Sequence, residues 1–133
     1  MKPDPDLIDK ALAKLEADRG ADPPKIFNSE GKIPNKYKGY ISSFGGSIVQ
    51  MGVMPACMAF IANSEKEKLL AMLFDIYYED KFGIAENITL KEYLKDWATW
   101  NHSDKKQFRN RMAAVAVSFK LALRTFEIDE EDN

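Results

Sequence analysis

Asp75, Glu79 and Asp80 recur at helical spacing and form the best set in this sequence for divalent-metal chemistry, because carboxylates on one helix face supply the hard oxygen ligands that Mg²⁺ takes. Lys81 follows directly, and acids in that setting read instead as the solvated face of an amphipathic helix. His102 is the only histidine and Cys57 the only cysteine, so neither a His/Cys metal cluster nor an internal disulfide can be assembled. His102 stands beside Ser103 at a helix start, an exposed turn position. Cys57 lies in the apolar run from Val53 to Ile61, where a thiol packs as a small hydrophobe. Gly45-Gly46 lacks the Lys-Ser/Thr pair and the preceding strand of a phosphate-binding loop, and no Ser, Thr or Cys comes with an identifiable base. These residues predict a noncatalytic protein with no metal and no cofactor, one that works by binding.

The cations are distributed more tellingly than the acids. Glu127, Asp129, Glu130, Glu131 and Asp132 hold −5, and against a whole-chain charge of −2 this leaves +3 on residues 1–126. Residues 31–64 contain Lys32, Lys36 and Lys38 and no acid; residues 105–126 contain Lys105, Lys106, Arg109, Arg111, Lys120 and Arg124 and again no acid. Turned at 100° per residue, Lys105, Lys106, Arg109, Lys120 and Arg124 fall within one quadrant of a helix, beside its apolar stripe, while Arg111 points away. The i,i+4 pairs Lys105/Arg109 and Lys120/Arg124 repel by about a few tenths of a kcal/mol each, a cost that a polyanion offsets. Two structural explanations compete: Lys120 and Arg124 complement the negative end of the helix dipole, or acids from the two preceding helices neutralise the stripe.

The elements that must position these residues are helical throughout. Leu7, Ile8, Ala11, Leu12 and Leu15 share a face, with Asp4 as N-cap, Pro5 at the first position and Gly20 beyond the end. Gly, Pro, Asn and Ser fill the stretch from Gly20 to Pro34 and predict an extended crossing loop with freedom to move. Tyr37, Tyr40, Ile41, Phe44, Ile48 and Met51 line a second helix, which places both tyrosines in the core and leaves base stacking by them as the lesser alternative. Within that helix, Gly45-Gly46 predicts either a bend or a closely packed backbone. Gly52 breaks the helix, a third runs from about Val53 to Ala62, and Ser64 with Glu67 reads as the capping box of a fourth, whose stripe Leu69, Leu70, Leu73, Ile76 and Tyr77 ends at Gly83. Thr89 with Glu92 opens a fifth through Tyr93, Leu94 and Trp97. The last runs from after Ser103 to about Phe126, roughly 33 Å, along the stripe Phe108, Met112, Val115, Phe119, Ala122 and Phe126. Val117 and Leu121 fall off that stripe and suggest a second apolar face for another subunit. The expectation is an all-α single bundle of five to six helices over residues 1–126, with 127–133 as a solvated acidic tail. The N-terminus shows no secretory h-region, and the apolar stretch from Gly46 to Ala62 is broken by Gln50, Gly52 and Pro55, so a soluble, cytoplasmic protein with no membrane span is expected.

Tyr37-Lys38-Gly39-Tyr40-Ile41, then Gly52-Val53 leading into Met58-Ala59-Phe60-Ile61, resembles the small-subunit family of the type III-B (Cmr) CRISPR complex, with Val53 and Met58 standing where leucines are usual. Agreement is clearest from Ile33 to Ala62, and Arg111-Met112-Ala113 to Phe126 resembles the family's terminal helix. The resemblance implies a noncatalytic helical subunit, present in several copies, stacked along the backbone subunits of a ribonucleoprotein that holds guide RNA and target RNA in antiviral defence. On that reading Lys105, Lys106, Arg109, Lys120 and Arg124 contact phosphates, with Lys32, Lys36 and Lys38 as a second patch. A helical protein-protein adaptor with no nucleic-acid role is the alternative.

Overall fold

Six α-helices, a short 3₁₀ turn and one minimal strand pair account for the regular structure in the computed structural model, which describes residues 4–84 and 86–131. The first helix, α1 (Pro5–Arg19), starts where Asp4 turns its carboxylate back onto the Asp6 N–H at 3.0 Å, and it buries Leu7, Ala11 and Leu15. After the loop come β1 (Ile33–Pro34) and α2 (Lys36–Met51), which buries Tyr37, Ile41, Phe44 and Ile48. Tyr40 is half-buried and Met51 exposed, so the apolar stripe of α2 is narrower than its sequence spacing suggests. Gly45 and Gly46 have no close neighbour where a side chain would stand, and the helix runs through them; close backbone packing is thus not their role.

Gly52, at φ 94°, ends α2 and turns the chain into α3 (Val53–Ile61). The next helix, α4 (Ser64–Phe82), is capped one residue earlier than the sequence signal indicates: Asn63 accepts the N–H groups of Glu65 and Lys66, and Ser64 is already helical. Gly83 closes it in the left-handed conformation. Thr89 does cap α5 (Leu90–Tyr93), but that helix is one turn long. Instead of continuing to Trp97, the chain kinks at Leu94 and re-forms as a 3₁₀ turn, Trp97–Thr99. The final helix, α6 (His102–Leu123), is capped by Asn101 rather than by Ser103. It packs against α1, α2, α3 and α4 and buries Phe108, Met112, Val115, Phe119 and Ala122, so it is the axis of the bundle; it ends at Leu123, short of the expected Phe126, whose side chain is buried beyond the helix.

Two connections depart from expectation. Asp18, near the end of α1, is buried, and its carboxylate accepts the backbone N–H groups of Lys25, Ile26 and Phe27 at 2.7, 3.0 and 3.3 Å. The loop that follows is thereby fixed and places Ile26, Phe27 and Ile33 in the core. The acidic segment is not a solvated tail throughout: β2 (Ile128–Asp129) pairs in parallel with β1, the Ile33 N–H donating to the Glu127 carbonyl and the Asn35 N–H to the Asp129 carbonyl. Glu130 and Glu131 are exposed, while Asp132 lies outside the described residues. No described helix is long and apolar enough to cross a membrane.

Candidate nucleic-acid interface

The acids of α4 spend their charge on cations other than the expected basic stripe. Asp75 meets Lys14 at 3.9 Å; Asp80 meets Lys10 at 3.8 Å and Arg111 at 2.7 Å, and Arg111 also approaches Asp4 at 3.5 Å. Arg111 is the cation of the last helix expected to point away, and here it ties α6 to α4. The hydrogen bond that Arg111 donates to Asp80, followed by the charges of Asp80 and Asp4, holds the Arg111 guanidinium above its already high ordinary pKa despite its partial burial. Among the described residues no three His, Cys, Asp or Glu side chains converge as a metal site, and Asp75 and Asp80 are held in ion pairs.

Lys105, Lys106, Arg109, Lys120 and Arg124 have no carboxylate within ion-pair distance among the described residues. Lys106 and Arg124 are exposed and the other three half-buried, as expected of long side chains that lay their stems against the core and lift their charge to solvent. They form two groups rather than an even strip. Ten residues of helix between Arg109 and Lys120, roughly 16 Å of rise, separate a group at the start of α6 from one near its end. Of the residues on that face between them, Ala116 is buried and Ala113 and Val117 are half-buried. Val117 and Leu121 are each half-buried, so neither lies wholly inside the bundle.

The second patch is more compromised. Lys32 lies 3.5 Å from both Glu30 and Glu127, and those charges, Glu127 first, raise its pKa; Lys36 forms an ion pair with Glu65. Lys38 is exposed and has no ion pair among the described residues. Tyr37 is buried edge-on against Tyr40, which answers the stacking question for Tyr37 in favour of the core.

Two residues that charge counting does not reach lie against the first group. Lys105 Nζ stands 5.3 Å from the ring centroid of Trp97, and Trp97 and Trp100, both half-buried, sit 5.1 Å apart on the turn entering α6. Their signal in the sequence was type and spacing, two indoles three residues apart just upstream of a basic helix, and it was obscured by assigning Trp97 to the fifth helix. A surface cleft lies elsewhere, between α1, α4 and residues 86–91; it sets Lys14, Lys25 and Lys91 against Glu67, Asp75 and Glu86, and so offers no excess of either sign.

Comparison with known proteins identifies no relative: no family model, no curated protein and no solved structure matches this chain.

Proposed function

We propose that this chain is a noncatalytic small subunit of a type III-B (Cmr) CRISPR ribonucleoprotein, stacked with further copies of itself along backbone subunits and holding guide and target RNA by the basic face of α6, in the cytoplasm and in antiviral defence. The observation that supports it is the set of five cations along one face of α6 and its C-cap, in two groups, that no acid among the described residues neutralises, although three acids of α4 are paired to other cations. Phosphates recur along a nucleic acid whatever its sequence, so a cationic helix face follows them without reading bases. An uncharged surface on α2 and α3, carrying exposed Val49, Met51 and Met58, fits contact with neighbouring subunits.

The adaptor reading draws on the same uncharged surface and on the ion pairs that occupy Lys32 and Lys36. The test is to isolate the tagged protein gently from its native cells and identify what accompanies it. Recovery with larger RNA-binding subunits and short RNAs sharing a repeat-derived end is expected. Recovery with protein partners and no RNA overturns the RNA reading and leaves the adaptor.

A further inference from the structure

We propose that Trp97 and Trp100 form a stacking platform for the unpaired bases of single-stranded RNA whose phosphates are held by Lys105, Lys106 and Arg109. The inference rests on the RNA-binding reading of α6 and narrows it to one end of that helix and to unpaired strands.

The platform is built, not incidental. Phe108, fully buried on α6, meets both indoles at 6.0 Å, edge-on to Trp100 and steeply inclined to Trp97, while Tyr93 supports Trp100 edge-on at 5.4 Å. The turn that carries the rings is fixed by the Asp96 carbonyl, which accepts both the N–H and the hydroxyl of Thr99 at 2.8 and 2.7 Å, and by the Trp100 N–H donating to the Trp97 carbonyl. Phe108 and Tyr93 therefore hold the rings, which stay half-buried rather than enclosed.

Charge supplies the second half of the argument. Lys105 places its ammonium at the Trp97 ring, Arg109 follows one helical turn on, and exposed Lys95 precedes the turn. The acids of this stretch are Glu92, bonded to the Thr89 hydroxyl, Asp96, and Asp104, which leaves α6 about 160° around the axis from Lys106. Aromatic faces beside cations that track a backbone are the means by which proteins hold single strands without sequence preference; in a duplex the bases face one another and offer no ring to stack.

The chain contains no other tryptophan, so its intrinsic emission reports on these two rings alone. Titration of the full chain at low salt with an oligouridylate of about twelve nucleotides, a length within the range one such site covers, should quench that emission with the same midpoint as the anisotropy of the labelled oligonucleotide. A duplex RNA of equal length should bind more weakly and leave the emission unchanged. Trp97→Leu or Trp100→Leu should weaken oligouridylate binding by about ten-fold, the loss expected for one stacked base, and Trp97→Phe should restore most of it. Anisotropy that rises while the emission stays constant overturns the platform and leaves the basic face standing. No binding of either RNA overturns both, and equal quenching by polyglutamate overturns the nucleobase assignment in favour of an acidic protein partner. The titration of the unaltered protein decides the matter even where a leucine variant fails to fold.

Discussion

Arg111 on α6 and Asp80 on α4 meet at 2.7 Å, and that contact separates the structural cation of the last helix from the five that remain unpaired. The pair is partly exposed, so its worth is set well below that of a buried charge-assisted bond. Arg111→Gln is expected to lower stability by roughly 1 kcal/mol, seen as a lower urea midpoint at unchanged slope, and to leave RNA affinity within two-fold. A marked loss of RNA affinity in this variant would place Arg111 in the interface and undo the separation.

Salt dependence distinguishes the same two roles. If the five cations neutralise about five phosphates, log affinity should fall with log salt at a slope of about −3 to −4. The double variant Lys105→Glu, Arg109→Glu should flatten that slope by about 1.5, since two contacts are lost. An unchanged slope removes the start of α6 from the interface.

Asp18 offers a test of how the first loop is held. Its carboxylate accepts three backbone N–H groups, so Asp18→Ala leaves buried donors unmatched and should cost about 2–3 kcal/mol. Amide exchange should accelerate at Lys25, Ile26 and Phe27 before it does in α6. Uniform acceleration across the chain would show instead that the loop unfolds only with the whole bundle.

Alkaline pH should destabilise the fold, and the sign follows from proton binding. Burial pushes the Cys57 thiol from 9.0 up to about 12, and burial followed by the hydrogen bond with Tyr93 raises the Tyr77 phenol in the same direction. Between about pH 9 and pH 12 the unfolded chain therefore binds fewer protons than the native one, and stability falls as pH rises through that window. Equilibrium unfolding followed across this range checks it. Cys57→Ser should shallow the decline, and the native thiol should resist alkylation at pH 8 until the protein unfolds.

Most of the helical frame was legible because it depends on local signals. Asp4, Gly52, Gly83 and Thr89 act at the helix ends where their side chains or backbone angles require, and the stripe of α6 is buried throughout. The misreadings share a cause: the deciding contact is distant or competes with an equally plausible neighbour. Asn63 displaces Ser64 as cap by accepting the Glu65 and Lys66 N–H groups, and Asn101 displaces Ser103 by accepting that of Asp104, each upstream Asx side chain opening its helix before the serine. The anchoring of the 20–34 loop by Asp18 and the pairing of Ile33 with Ile128 leave no periodic trace in the sequence. At the site, the cationic quadrant was visible from spacing alone, whereas its division into two groups and the rings beside Lys105 required the packing around Phe108.

The pairing of Ile33 with Ile128 joins positions nearly a hundred residues apart. In a chain emerging from the ribosome α2, α3 and α4 can meet as neighbours, but α1 and α2 find their main partner only in α6, and the strand that holds the entry to α2 has no partner until synthesis reaches Asp129. The contacts at the α2 entry, with Lys32 held between Glu30 and Glu127, therefore depend on the far end of the chain, and none of the Glu127 and β2 contacts can form while synthesis is still within α6.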